Sequence, residues 1–199
     1  MSPRRVDSRH ALIVALTGAS GIAIGLHFLK YVDLLRRHYK YIYTIHTKHA
    51  ERVAKIEENI ELTNYLKTCK VDAVYRGEDL ESPIASSSCL INSDMVIVPA
   101  SLNTIAKIAS GIQDNLATRA ACNILRLKNR LVIVVRESPL SNIDLRNLYK
   151  LSLAGAVILP ATIAMYPRLR SIEDFLNFIS GKIMDVLGIE HDLYNRWLC

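Results

Sequence analysis

The residue types that can do chemistry gather in short polar stretches between apolar ones. Thr17-Gly18-Ala19-Ser20-Gly21 sets glycines and a hydroxyl at what reads as the entry to a helix. A glycine turn there leaves free backbone N–H groups at the positive end of the helix dipole, which suits a phosphate or an electron-rich ring edge. Ser20 stands where a GxGxxG fingerprint has its second glycine, and no acidic residue closes the next strand to hold a dinucleotide ribose. The loop fits a mononucleotide better than NAD; a purely structural turn is its plain alternative.

Two further stretches follow apolar strands. Pro99-Ala100-Ser101-Leu102-Asn103-Thr104 offers two hydroxyls and an amide that can bond the edge of a ring ligand such as a flavin. Arg136-Glu137-Ser138-Pro139-Leu140-Ser141 places an arginine beside a glutamate: a structural ion pair, or a phosphate clamp next to a proton carrier. Ser82–Ser88, with three consecutive serines, either caps a helix or lines a polar pocket. Gly111, Asp114, Asn115 and Arg119 lie on a long helical segment or in a break within it.

The elements that must position these groups alternate in type. Ala11–Leu16, Tyr41–His46, Val71–Tyr75, Met95–Val98, Leu131–Val135 and Ala156–Leu159 read as strands. Ile22, Leu26, Leu29 and Val32 recur at helical spacing, and a long helical segment is expected from about Leu102 to Leu127. Ser141 with Asp144, and Ser171 with Asp174, read as capping boxes, and Gly188 as the stop of the last helix. Strand–helix alternation of this kind predicts an α/β fold: a Rossmann-like or flavodoxin-like three-layer sandwich with a mainly parallel sheet and ligands at the strands' carboxyl ends. Residues 1–10 read as a loose tail and residues 11–199 as a single domain.

Composition narrows the class. Of 199 residues, 50% are hydrophobic and 22% charged, which excludes a disordered chain. Arg4 and Arg5 before Ala11–Leu16 imitate a signal peptide, but the apolar run is too short and Asp7 interrupts the basic region. No run reaches the length of a membrane span, so a cytoplasmic protein is expected. Cys69, Cys89, Cys122 and Cys199 form no CxxC pair, so neither a zinc site nor a disulfide framework is indicated. The net charge of +6 suits an anionic ligand, and no basic strip interleaved with aromatics points to nucleic acid.

Together these loops resemble UbiX-type flavin prenyltransferases, from about Ala11 to Trp197. The most specific part is Arg136–Ser141 followed by Leu151–Pro160 and Tyr166. The resemblance implies a metal-independent enzyme that joins reduced FMN to dimethylallyl phosphate, making the prenylated flavin used by UbiD-type decarboxylases. It implies FMN contacts at Gly18, Ala19, Ser20, Thr47, Ser101, Leu102, Asn103, Thr104 and Arg136. It gives Tyr166, Lys182, Arg119 and Arg126 to the dimethylallyl phosphate. The π faces of Tyr166 and Trp197 would steady the allyl cation. Ser20, Glu57 and Glu137 would be catalytic, with Glu137 the base acting through Ser20. A homododecamer with pockets shared between subunits is implied as well.

The chain departs from the family pattern in places. Arg126 stands where a lysine is usual and Lys182 where an arginine is common, exchanging point-charge and fork geometry. Ala100 replaces a frequent cysteine. The rival readings are a phosphopantothenoylcysteine-type decarboxylase, whose histidine and Pro-x-Met-Asn motifs are missing, and a non-catalytic flavin carrier. A short-chain dehydrogenase needs a Tyr-x-x-x-Lys pair, which the sequence lacks.

Overall fold

The computed structural model describes residues 9–198. Six strands form one sheet: β1 (Arg9–Leu16), β2 (Tyr39–His46), β3 (Ala73–Arg76), β4 (Asp94–Ala100), β5 (Leu131–Val135) and β6 (Val157–Pro160). Their order is β3-β2-β1-β4-β5-β6, and every neighbouring pair is parallel. Parallel strands are covered on both faces, so both sides of each central strand must be apolar. Leu12, Val14 and Leu16 face one core layer while Ala11, Ile13 and Ala15 face the other, and all six are fully buried.

The first layer holds α1 (Ile22–Leu29), α2 (Val32–Leu35), α3 (Lys48–Glu57), α4 (Leu62–Thr68) and α8 (Ile172–Leu187). The second holds α5 (Leu102–Ala109), α6 (Leu116–Arg126) and α7 (Asn142–Leu153). Strand order runs outward in both directions from the β1/β4 pair. Loops leaving those two strands diverge to opposite faces, and the crevice between them is where such sheets bind ligands.

Three expectations need correction. The helical segment from Leu102 to Leu127 is two helices, so of the two placements open for Gly111 and Asp114 the break is the right one. α5 stops before Gly111 (φ 72°), and α6 restarts on Asn115, whose side chain and that of Thr118 form a reciprocal capping box. Asn115 can satisfy orphan N–H groups only at a helix start, so capping outweighs the continuous apolar spacing. Arg9 and His10, expected in the tail, already belong to β1, and residues 1–8 lie outside the described residues. The Ser82–Ser88 run forms two short 3-10 turns that no serine side chain caps; Ser86 and Ser88 bond each other instead at 2.9 Å. The capping boxes at Ser141 and Ser171 and the left-handed Gly188 stand as expected.

At the amino edge of the sheet, the fully buried Asp94 accepts from Arg9 Nη1 (2.8 Å), the Tyr39 hydroxyl (2.7 Å) and the Arg130 N–H (3.3 Å). That carboxylate ties β1, β2, β4 and the approach to β5 together, at the end opposite the crevice. Burial and the adjacent Asp94 push the Tyr39 phenol well above its ordinary value.

Gly25 sets how closely α1 lies on the sheet. A Cβ there would stand 2.3 Å from the Val98 carbonyl oxygen, which belongs to the backbone and cannot swing away. Helix propensity alone favours alanine by about 1 kcal/mol. The clash reverses the sign: Gly25→Ala is expected to lose about 1–3 kcal/mol in urea unfolding, the cost of overpacking. A stabilised variant would show that α1 can lift off β4 freely.

Candidate active site

The crevice is fixed by a single buried hydroxyl. Thr17, the first residue after β1, donates to the Pro99 carbonyl at 2.8 Å and accepts from the Ser101 N–H at 2.8 Å. Ser101 in turn caps α5, accepting from the Thr104 N–H at 3.3 Å and bonding the Thr104 hydroxyl at 2.9 Å. The glycine loop after β1 and the hydroxyl loop after β4 are therefore one unit. Gly18 is required next to it, since a Cβ there would lie 2.4 Å from the Cβ of His49 on α3.

A cavity of about 600 Å³ opens on that unit, lined by Gly18, Thr47, Ser101, Asn103 and Thr104 among the expected residues. Thr47 caps α3 through Ala50 at 3.2 Å, and Asn115 caps α6 through Thr118 at 3.1 Å. Three helices thus begin at the cavity wall, on Thr47, Ser101 and Asn115. Each brings a positive dipole end. Lys48 and Lys107 add charge; Asp114, 2.5 Å from Lys107, is held below the usual carboxylate range by that ammonium. Lys48, His49, Gly77, Glu78 and Lys107 carry no site expectation in the sequence, and Asp114 and Asn115 reach the cavity from the break between α5 and α6. The signal for Asn115 was its place before Leu-Ala-Thr118; for the loop at Gly77 there was none, because β3 is short.

Ser20, Glu57, Arg136 and Glu137 gather at the α1 entry. Glu57 Oε2 accepts from the N–H groups of Gly21 (2.8 Å) and Ile22 (3.1 Å), so this carboxylate holds the start of α1. Arg136 Nε donates to the Ser20 carbonyl at 2.8 Å, and its Nη1 lies 3.9 Å from Glu137 Oε1. Glu137 also accepts from Ser138 N–H at 3.1 Å. Ala19 is buried within the same loop, and Leu102 packs on the second core layer.

Tyr166 and Lys182 come together further along. The Tyr166 ring meets Phe178 and Trp197 edge-on at 6.2 and 5.8 Å, and Lys182 Nζ sits over the Phe178 and Tyr194 rings at 5.6 and 4.9 Å. Burial works to lower the Lys182 ammonium, but Tyr194, Tyr166 and Asp185 outweigh it and hold it above its ordinary value. The loop bearing Tyr166 starts beside Arg136, since Ala161 N–H bonds the Val135 carbonyl at 2.8 Å.

The two arginines of α6 separate. Arg119 lies near the cavity end of the helix, and its buried Nε makes no hydrogen bond among the described residues. Arg126 lies about two turns further on, toward the amino edge of the sheet, where it bonds Asn123. One chain therefore does not bring Arg126 to its own cavity.

A Rossmann-like sheet whose switch-point cavity collects helix N-termini defines a mononucleotide-binding protein, and the Flavoprotein family model matches residues 1–184. The chain is 40% identical over 194 residues to flavin prenyltransferase UbiX of Saccharolobus solfataricus, covering 97% of this chain and 94% of that one. It belongs to the UbiX flavin prenyltransferases. The crystal structure of AnUbiX in complex with FMN and dimethylallyl pyrophosphate superposes with TM-score 0.87 at 34% identity, over 95% of this chain and 97% of that one. A dodecameric FMN-dependent UbiX-like decarboxylase from Escherichia coli gives 0.86 at 29%, over 95% and 100%. Among the described residues, no helix is long and apolar enough to cross a membrane.

Two outcomes follow from this geometry. Thr17→Val strands the Ser101 N–H and leaves the Pro99 carbonyl only the longer bond from the Thr17 N–H (3.3 Å), so urea unfolding should show a loss of about 1–3 kcal/mol. FMN affinity should fall with it; unchanged affinity would mean the staple does not shape the crevice. The second concerns His46, which is buried at the end of β2 beside Thr47. Its Nδ1 is 3.3 Å from Glu51 and its Nε2 3.1 Å from the Thr63 hydroxyl. Burial lowers this imidazole from 6.5, although Glu51 opposes the shift. Protons bind the unfolded chain first, so the contribution is full above about pH 6.5 and lost as pH falls through the folded-state value. Urea midpoints should drop over that range, and drop less in His46→Gln.

Proposed function

We propose that this chain transfers the dimethylallyl group of dimethylallyl phosphate to N5 and C6 of reduced FMN, releasing phosphate and supplying prenylated FMN to a UbiD-type decarboxylase. The observation that carries the reading is the pairing of two unlike half-sites along one sheet edge. On one side, three helix N-termini and two lysines face a cavity sized for a mononucleotide. On the other, Lys182 and aromatic faces gather around Tyr166, on the loop that leaves β6 beside Arg136.

The residues fit FMN. Thr47, Ser101 and Thr104, with the helix-start N–H groups that the caps leave free, suit its phosphate; Gly18 allows backbone approach, and Ser101–Thr104 and Arg136 suit its polar edges. Reduced FMN brings the nucleophilic N5. The donor loses a phosphate and gains allyl-cation character, so it needs charge on one end and π faces on the other. Lys182 and Arg119 hold the phosphate, and the Tyr166 and Trp197 rings face the cationic carbon, a cation–π contribution of about 0.5–2 kcal/mol. Preorganised cations on a departing phosphate stabilise the transition state more than the bound substrate.

Glu137 takes the proton lost from C6, relayed by the Ser20 hydroxyl. The relay is supported by Arg136, which bonds the Ser20 carbonyl and lies 3.9 Å from Glu137. Glu57 acts electrostatically and by fixing the α1 entry. Arg126 serves a neighbouring subunit's pocket in a homododecamer, which its distance from its own crevice supports. The three described cysteines are unpaired, in keeping with a reducing, cytoplasmic setting.

Incubation with FMN, reductant and dimethylallyl phosphate should add one five-carbon unit to the flavin by mass spectrometry; unmodified FMN would leave a carrier. Glu137→Gln should keep FMN bound while slowing conversion by roughly 10²–10⁴-fold, the usual worth of a positioned base. Full turnover in that variant removes Glu137 from proton transfer.

A further inference from the structure

The chain doubles back after α8. Gly188 takes φ 75°, Ile189 is buried, and residues 190–198 return along the helix they have left. The return is close: a Cβ on Gly181 would lie 2.7 Å from both His191 Cε1 and Tyr194 Cδ1. Apolar burial anchors its start, where Ile189 is buried and Leu193 and Tyr194 pack on the core, but Asn195, Arg196, Trp197 and Leu198 are exposed, so a polar contact must hold the rest.

One carboxylate holds it. Asp185 Oδ1 accepts from His191 Nε2 at 3.0 Å and Arg196 Nη2 at 2.7 Å, and Oδ2 accepts from the Tyr194 hydroxyl. His191 Nδ1 accepts the Leu193 N–H at 3.2 Å, which leaves the proton on Nε2, pointing at Asp185. The His191 side chain is completely covered. Burial works to raise the Asp185 carboxyl, but the Tyr194 and Arg196 bonds outweigh it and keep it ionised below its ordinary range. Three strap residues thus converge on one helix position.

The strap carries groups of the donor half-site. Tyr194 lies under the Lys182 ammonium at 4.9 Å, and Lys182 Nζ is 3.6 Å from Asp185 itself. Three residues past Tyr194, Trp197 meets the Tyr166 ring. We infer that Asp185 is a positioning residue: it latches residues 189–198 onto α8 so that Trp197 stays against Tyr166 and Lys182 stays over the Tyr194 ring. Its consequence for turnover rests on the prenyl-transfer reading; the latch itself does not.

Trp197 is the chain's only tryptophan, so its fluorescence reports the strap alone. Trp197 is largely exposed but keeps one edge against Tyr166, so acrylamide quenching should rise from a partly restrained wild-type value to that of free tryptophan in Asp185→Ala. In the same variant KM for dimethylallyl phosphate should rise about tenfold or more while kcat and FMN affinity change less, the pattern of lost donor binding. Unchanged quenching with unchanged KM overturns the latch. If Asp185→Ala does not fold, Tyr194→Phe removes one of its bonds and should move both readouts the same way; no movement there is equally decisive. Wild-type protein that fails to prenylate FMN sinks the functional reading alone, because the quenching comparison needs no turnover.

Discussion

The Thr17 hydroxyl sits where two strands must part and yet stay in register. β1 and β4 are neighbours, but their following loops leave to opposite faces, which opens the sheet at that point and exposes backbone groups that no strand partner can take. A side chain from the β1 side that donates to the Pro99 carbonyl and accepts from the Ser101 N–H, both at the end of β4, closes the gap without filling it. Valine has the same outline and could do neither. The position of Ser101, the start of α5 and the turn at Gly18 all follow from this contact.

Once the crevice is set, most of its electrostatics comes from the backbone. Thr47, Ser101 and Asn115 each begin a helix at the same cavity, and their side chains occupy only part of the free N–H groups. Fixed dipoles need no reorganisation to receive an anion. Glu57 shows the same logic in reverse: a carboxylate already spends itself on Gly21 and Ile22, so the α1 terminus is partly neutralised inside the protein. The flavin half-site is therefore weighted toward α3, α5 and α6 rather than toward the TGASG turn that first drew notice.

Much of this was legible beforehand because it is local. Leu131–Val135 was read to the residue, and the boxes at Ser141 and Ser171 are spelled out by spacing that only capping satisfies. The break after Gly111 was obscured because Leu102 to Leu127 keeps an apolar rhythm across the turn, and Asn115 outweighed it only through a hydrogen bond to Thr118. Lys48, Gly77 and Lys107 were illegible for a different reason. They reach the cavity because β2, β3 and β4 end at one edge, a fact of strand order that no window of sequence contains. The family resemblance supplied Tyr166 and Lys182, and the fold brings those two together while carrying Arg126 away.

The lysine at 182 makes sense in that setting. A guanidinium asks for a planar, bidentate partner, and in this neighbourhood Asp185 already gives both oxygens to His191, Arg196 and Tyr194. An ammonium asks for less: it can rest over the Tyr194 and Phe178 rings, 3.6 Å from a carboxylate committed elsewhere, with donors still free to turn toward a phosphate. The exchange of fork for point charge at 182 is thus matched by a strap that brings its own arginine to Asp185. Holding the strap and holding the phosphate are separate tasks, given to separate cations.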